Sequence, residues 1–123
     1  MSDSGELTEA AVAVLQTGLD DWVSLADLDA VAGFYGADDP ARAELVEAVV
    51  RELAGAGLVH VGGLTRAGFS AFDVDLERAV GVVLGEYRNR GPAWPFNAWL
   101  DTTDAGDAAA RRLPRARFLA DEG

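Results

Sequence analysis

The chain has 123 residues, half of them hydrophobic, with no cysteine and with 21 acids against 10 basic residues for a formal net charge of −11. That length and apolar share suit one domain around one core, and the lack of cysteine excludes a disulfide framework, thiolate chemistry and a Cys-based zinc site. No stretch approaches the ~20 apolar residues of a membrane span, and the polar start, residues 1–6, has neither the basic residues nor the apolar run of a secretory signal, so a cytoplasmic protein with no membrane partner is expected.

The predicted elements follow in chain order. Thr8 is placed to cap a first helix, with Leu7 and Val12 as its hydrophobic staple. Leu7, Ala10, Ala11, Val14, Leu15, Leu19 and Trp22 recur at helical spacing, so the helix is expected over 9–19, with Gly18 helping to end it. Ser24 and Asp27 form a capping-box variant that opens a second helix over 25–32, closed by Gly33. Asp38-Asp39-Pro40 starts a third over 40–55, with Pro at a first-turn position where its missing N–H costs nothing. Leu45, Val46, Val49, Val50 and Leu53 make its apolar stripe, and Glu47 and Arg51 are oriented for an i,i+4 pair.

Gly55 and Gly57 end that helix, and 58–61 reads as a short strand. A fourth helix is expected over 74–88, capped by Asp73, with Leu76, Val80, Val83, Leu84 and Tyr87 on one face. A loop carrying Pro92 and Pro95 leads to a second strand over 96–100. Thr102 or Thr103 caps a last helix over 104–112, followed by Pro114 and a basic tail. The fold class expected is mainly α with a small β-hairpin. The organisation is a polar segment 1–6, a domain over 7–112 and a tail over 113–123.

Charge is distributed unevenly. Residues 1–40 carry nine acids and no base, 41–85 carry six acids and four Arg, and 86–123 carry six of each. The anionic first third attracts basic partners and repels phosphate backbones. The absence of Lys among the basic residues is the background of a high-GC bacterial genome. Nine acids exceed what helix capping needs, since a cap uses one per helix start. Asp20, Asp21, Asp27, Asp29, Asp38 and Asp39, which flank the turns around the second helix, are therefore the expected partner-binding residues. Trp94, between Ala93 and Pro95 in the Pro-containing loop, joins them as the aromatic residue expected to be exposed. Trp22 and Trp99 fit the core.

Chemistry is poorly supplied. His60 is the sole histidine, and no residue pattern points to a nucleophile or an orienting carboxylate beside it. Without Cys and with one His, a metal site would rest on carboxylates, and the Asp pairs have the spacing of caps and linkers, not of a calcium loop. Gly55-Ala56-Gly57 precedes its strand, which inverts the order of a dinucleotide fingerprint. Gly81 and Gly85 allow another element to approach the fourth helix closely, with internal packing expected and a homodimer seam the alternative. Arg88, Arg90, Arg111, Arg112, Arg115 and Arg117 are read as neutralising the acidic third or lying solvated. No catalytic residue, cofactor or metal is expected.

Three helices, a strand, an excursion, a second strand and a Thr-capped helix is an order that resembles the winged-helix superfamily. The likeness is carried by Val23-Ser24-Leu25-Ala26-Asp27-Leu28, by Leu53-Ala54-Gly55-Ala56-Gly57-Leu58-Val59 and by Trp99-Leu100-Asp101-Thr102-Thr103-Asp104-Ala105-Gly106, which is similar to the family's L-T-x-x-G ending. It spans residues 7–112. The helix-length stretch 73–89 departs from it, standing where the family has a short wing turn. The resemblance implies a third helix that reads the DNA major groove. Residues 38–55, however, carry five acids against two Arg, a poor match for a duplex with one negative charge about every 1.7 Å. Fold alone does not fix function. The reading is a non-enzymatic acidic protein-binding module for a basic protein, in a specific form an inhibitor or immunity protein covering a cationic toxin or nuclease site. The alternative is a winged-helix transcription regulator that binds DNA as a dimer.

Overall fold

The computed structural model describes residues 7–19, 21–36 and 38–122, with side chains through Ala120. The polar segment 1–6 and Asp20 lie outside the described residues. Helix α1 spans Glu9–Thr17, and the Thr8 hydroxyl accepts from the Ala11 N–H. It stops two residues earlier than its apolar spacing predicts, the Leu19 N–H turning back three residues to Gln16 and so closing the last turn. Every residue from Ala10 to Gln16 is buried, so α1 is enclosed on all sides and forms the axis around which the others pack.

Strand β1 is only Val23–Ser24, and Ser24 then caps α2, Leu25–Tyr35, in a capping box with Asp27. The predicted stop at Gly33 is overridden. The last turn is held by tertiary contacts, with Phe34 edge-on to Phe118 and the Tyr35 hydroxyl donating to Glu9 at 2.5 Å. Asp38 caps α3, Asp39–Gly55, whose Val46, Val49, Val50 and Leu53 are buried and whose Leu45 is half-buried.

Strand β2, Val59–Thr65, runs four residues beyond the expected strand and pairs with β3, Gly68–Ala71, in a hairpin that the Gly62-Gly63 pair disguises. Gly62 is required there, since a Cβ would lie 2.1 Å from the Ser70 carbonyl oxygen. Helix α4 spans Leu76–Asn89 and is capped by Asp75, not Asp73. The stretch Trp94–Phe96 is a 3-10 turn, so the next strand, β4, begins only at Trp99 and ends at Thr102. The N–H groups of Phe96 and Asn97 are taken by the Ala93 and Trp94 carbonyls, which keeps them out of the ladder. Thr103 caps α5, Asp104–Arg112, and the tail carries a sixth helix, α6, over Arg117–Glu122.

The sheet has the order β1-β4-β2-β3 and is antiparallel throughout. The two strands expected from the sequence pair with each other as β2 and β4, with Val59 opposite Thr102 and Gly62 opposite Trp99. The chain is thus mainly α with a small antiparallel sheet. Val23, Val59, Val61 and Leu100 point into the core, so Ser24, His60, Trp99 and Asp101 belong to the outer face. No helix among the described residues is long and apolar enough to cross a membrane.

The tail is docked. Gln16, buried on α1, donates through its amide to the carbonyls of Ala110, Leu113 and Pro114 and accepts from the Ala116 N–H at 2.9 Å. One side chain thereby serves the carbonyls left over at the end of α5 and the chain that leaves it. Glu9 completes the lock by accepting from the Arg117 backbone and guanidinium, while Tyr35 accepts from the Phe118 N–H.

Candidate functional site

The predicted acids that the structure describes stand in different local settings. Asp27 is engaged in the capping box, where it accepts from the Ser24 N–H at 3.0 Å. Asp29 ties α2 to α4, accepting from the Tyr87 hydroxyl at 2.7 Å and from Arg90 at 3.3 Å. Burial and the Asp29 carboxylate push the Tyr87 phenol up to about 12. Asp38 is the cap of α3. Asp39 stands in the exposed first turn of α3, 3.9 Å from Arg42. Asp21 is exposed, with its carboxylate accepting from the Trp22 N–H. Asp20 lies outside the described residues.

Trp94 is not the free aromatic that its loop suggested. Tyr87 packs edge-on against it and the Arg90 guanidinium covers its ring at 4.8 Å. The loop turns inward because Arg90 and Ala93 take left-handed backbone conformations, with φ of 50° and 58°. The expected roles of Trp22 and Trp99 reverse as well. Trp22 is 36% exposed, and Trp99 is half-buried on the outer side of the sheet. The alternation of Trp99 with the inward Leu100 carried this signal in the sequence.

On that outer side the aromatic residues pair. Phe96, 60% exposed, stacks on Trp99 at 5.9 Å. Trp99 stands opposite Gly62, and the Phe69 ring lies over Gly62, within 2.8 Å of where a Cβ would be. Phe69 in turn stacks on Trp22 with centroids 6.5 Å apart, and exposed Leu64 is its cross-strand partner. The result is two stacked aromatic pairs, Phe96–Trp99 and Trp22–Phe69, that both adjoin Gly62 of β2. Asp21, Trp22, Asp101, Thr102 and Asp107 line a surface cleft of about 270 Å³. Asp107 accepts from the Thr102 hydroxyl at 2.8 Å, which fixes one wall. His60 is exposed and opposite Asp101. No group of His and acidic residues with metal-holding geometry occurs among the described residues.

The helix that would read DNA in a winged-helix domain is α3. It carries two guanidinium groups, Arg42 and Arg51. Arg42 lies beside Asp39, and Arg51 bridges from Glu47 on α3 to Glu77 on α4. Helix α4 packs along α3, with Ala79, Val80, Val83 and Tyr87 buried. In the C-terminal half, Arg90 pairs with Asp29 and Arg117 with Glu9, as self-neutralisation predicts. Arg88, Arg111, Arg112 and Arg115 are exposed. Gly81 and Gly85 face solvent with nothing within 4 Å of a Cβ, so the expected internal packing against them is absent among the described residues.

No family model, curated protein or solved structure matches the chain.

Proposed function

We propose that the protein is a cytoplasmic, non-enzymatic binding module that recognises a basic protein, acting in the manner of an inhibitor or immunity protein that covers a cationic active site. The observation that carries this reading is the charge of the first forty residues, nine acids without a base. Internal pairing does not cancel it, because the field at a distance follows the net charge of −11. Such a field accelerates encounter with a cationic partner.

The scaffold we infer is winged-helix-like. In support, α1, β1, α2, α3, β2 and β4 occur in that chain order, and β4 lies between β1 and β2. β3 and α4 are then an insertion in the wing. That topology also favours a second reading, a DNA-binding regulator. Against it stand the acidic α3 and the engagement of its Arg51 by Glu47 and Glu77.

Affinity capture from the native host, followed by mass spectrometry, separates the two. The binding-module reading expects a stoichiometric basic protein whose capture weakens as salt rises. Sub-micromolar binding to a defined DNA duplex at physiological salt, with no such protein recovered, would overturn it.

A further inference from the structure

We infer that the outer face of the sheet is the docking surface, and that Trp22 with its neighbouring carboxylates receives a cationic side chain, in particular arginine, from a basic segment of the partner. This rests on the proposed basic partner and goes beyond it by naming the place and the chemistry.

The first argument is that the face carries large apolar side chains that no element among the described residues covers. Phe96, Trp22 and Leu64 are each more than a third exposed, Phe96 stacking on Trp99, Trp22 on Phe69, and Leu64 standing opposite Phe69 on β2. Large aromatic side chains left at a surface in contact with one another are the composition of binding hot spots, not of a solvating surface. The opposite side of the same sheet carries the core, so nothing about folding demands aromatic residues on this one.

The second argument is charge complementarity. Trp22 sits in a cleft whose remaining charged residues are Asp21, Asp101 and Asp107. An indole beside carboxylates suits a guanidinium, which is planar, stacks on aromatic rings and donates to carboxylates in the same plane. The Phe69 ring, 29° from parallel with the indole, holds Trp22 in place. Order imposed beforehand lowers the entropic cost of binding. Among the described acids of the first third, Asp27, Asp29 and Asp38 lack this combination, being occupied in caps or in the tie to α4.

The test is an NMR titration of the full chain with a short peptide of alternating Arg and Gly, and with a control peptide in which Gln replaces Arg. Saturable shifts should centre on the Trp22 indole and on the backbone of Phe69 and Asp101. Trp22→Ala should weaken the Arg peptide about tenfold or more, the scale of a Trp hot spot, and Trp22→Phe should retain most of the affinity. Asp38→Asn with Asp39→Asn should change affinity by less than about twofold. Should Trp22→Ala lose its dispersed spectrum, Asp21→Asn with Asp101→Asn serves in its place and should weaken binding comparably. Saturable shifts centred on Asp38 and Asp39 would overturn this placement and leave the basic-partner reading standing. Equal binding of the Gln peptide would overturn cation recognition at Trp22. No saturable shift anywhere would overturn both the placement and the basic-partner reading.

Discussion

The same substitution should have opposite effects at different glycines of this chain, for reasons that can be put in numbers. Gly81 and Gly85 lie within α4 with nothing within 4 Å of a new Cβ. Alanine is preferred over glycine inside a helix by about 0.8–1 kcal/mol, so Gly81→Ala and Gly85→Ala should each stabilise by about 0.5–1 kcal/mol. Gly106 lies in the first turn of α5, where a Cβ would stand 2.1 Å from the Leu58 carbonyl oxygen and 3.4 Å from a Leu15 methyl. Ordinary contact needs roughly 1 Å more than the first of these, and a backbone oxygen cannot rotate away. Helix α5 must therefore retreat, straining the 3.0 Å bond from the Thr103 N–H to Leu58 and the 2.8 Å bond from its hydroxyl to Gly57. Two weakened hydrogen bonds at about 1 kcal/mol each, with overpacking of about 1–3 kcal/mol and less the helix gain, leave Gly106→Ala destabilised by about 2–4 kcal/mol. Urea denaturation followed by circular dichroism reads both signs as shifts in midpoint at constant slope. A neutral Gly106→Ala would refute the close approach of α5 to Leu58. Loss of stability in Gly81→Ala or Gly85→Ala would show that a copy or another element packs on α4.

Gln16→Leu should destabilise by about 2–4 kcal/mol, because it strands the carbonyls and the Ala116 N–H that the amide serves; undocking of the tail caps the loss, and amide exchange at Ala116 reads it. Hydrogen bonds from Tyr35 and then Arg117 hold the Glu9 carboxyl below its ordinary value. A depressed carboxylate contributes stability above its unfolded pKa of about 4.3 that disappears as pH falls through the folded value. The Phe118 amide should accordingly lose exchange protection in that acidic window in the wild type but not in Glu9→Gln, and an identical pH profile would refute the lock. Asp29→Ala should cost about 1–3 kcal/mol in thermal melts, by leaving the Tyr87 hydroxyl unpaired, while leaving partner affinity unchanged. Loss of affinity without loss of stability would return Asp29 to the binding surface.

The helices were legible because their signals are local. Thr8, Ser24, Asp38 and Thr103 all cap as their residue types predict, and α5 has the predicted bounds. The misses lie where tertiary contact overrides a local rule. Helix α2 passes through Gly33 because Phe34 and Tyr35 find partners on the tail. Strand β3 was hidden by the glycines that its tight pairing requires. For the site, composition pointed to the acidic third but could not divide it into acids spent on caps and acids left at the surface. Asp29 is the clearest instance, since its partners Tyr87 and Arg90 lie about sixty residues away. Trp94 and Trp22 exchanged roles for the same reason: exposure depends on what folds over a residue, which loop composition does not encode.

The central claim, that the protein is steered to a basic partner by its charge, is tested most directly by the association rate of the purified pair across ionic strength. The account predicts a rate that falls steeply as the Debye length shortens from about 10 Å at 0.1 M salt to about 3 Å at 1 M, with dissociation changing far less. A rate that stays flat over that range, with the pair still forming, would contradict it.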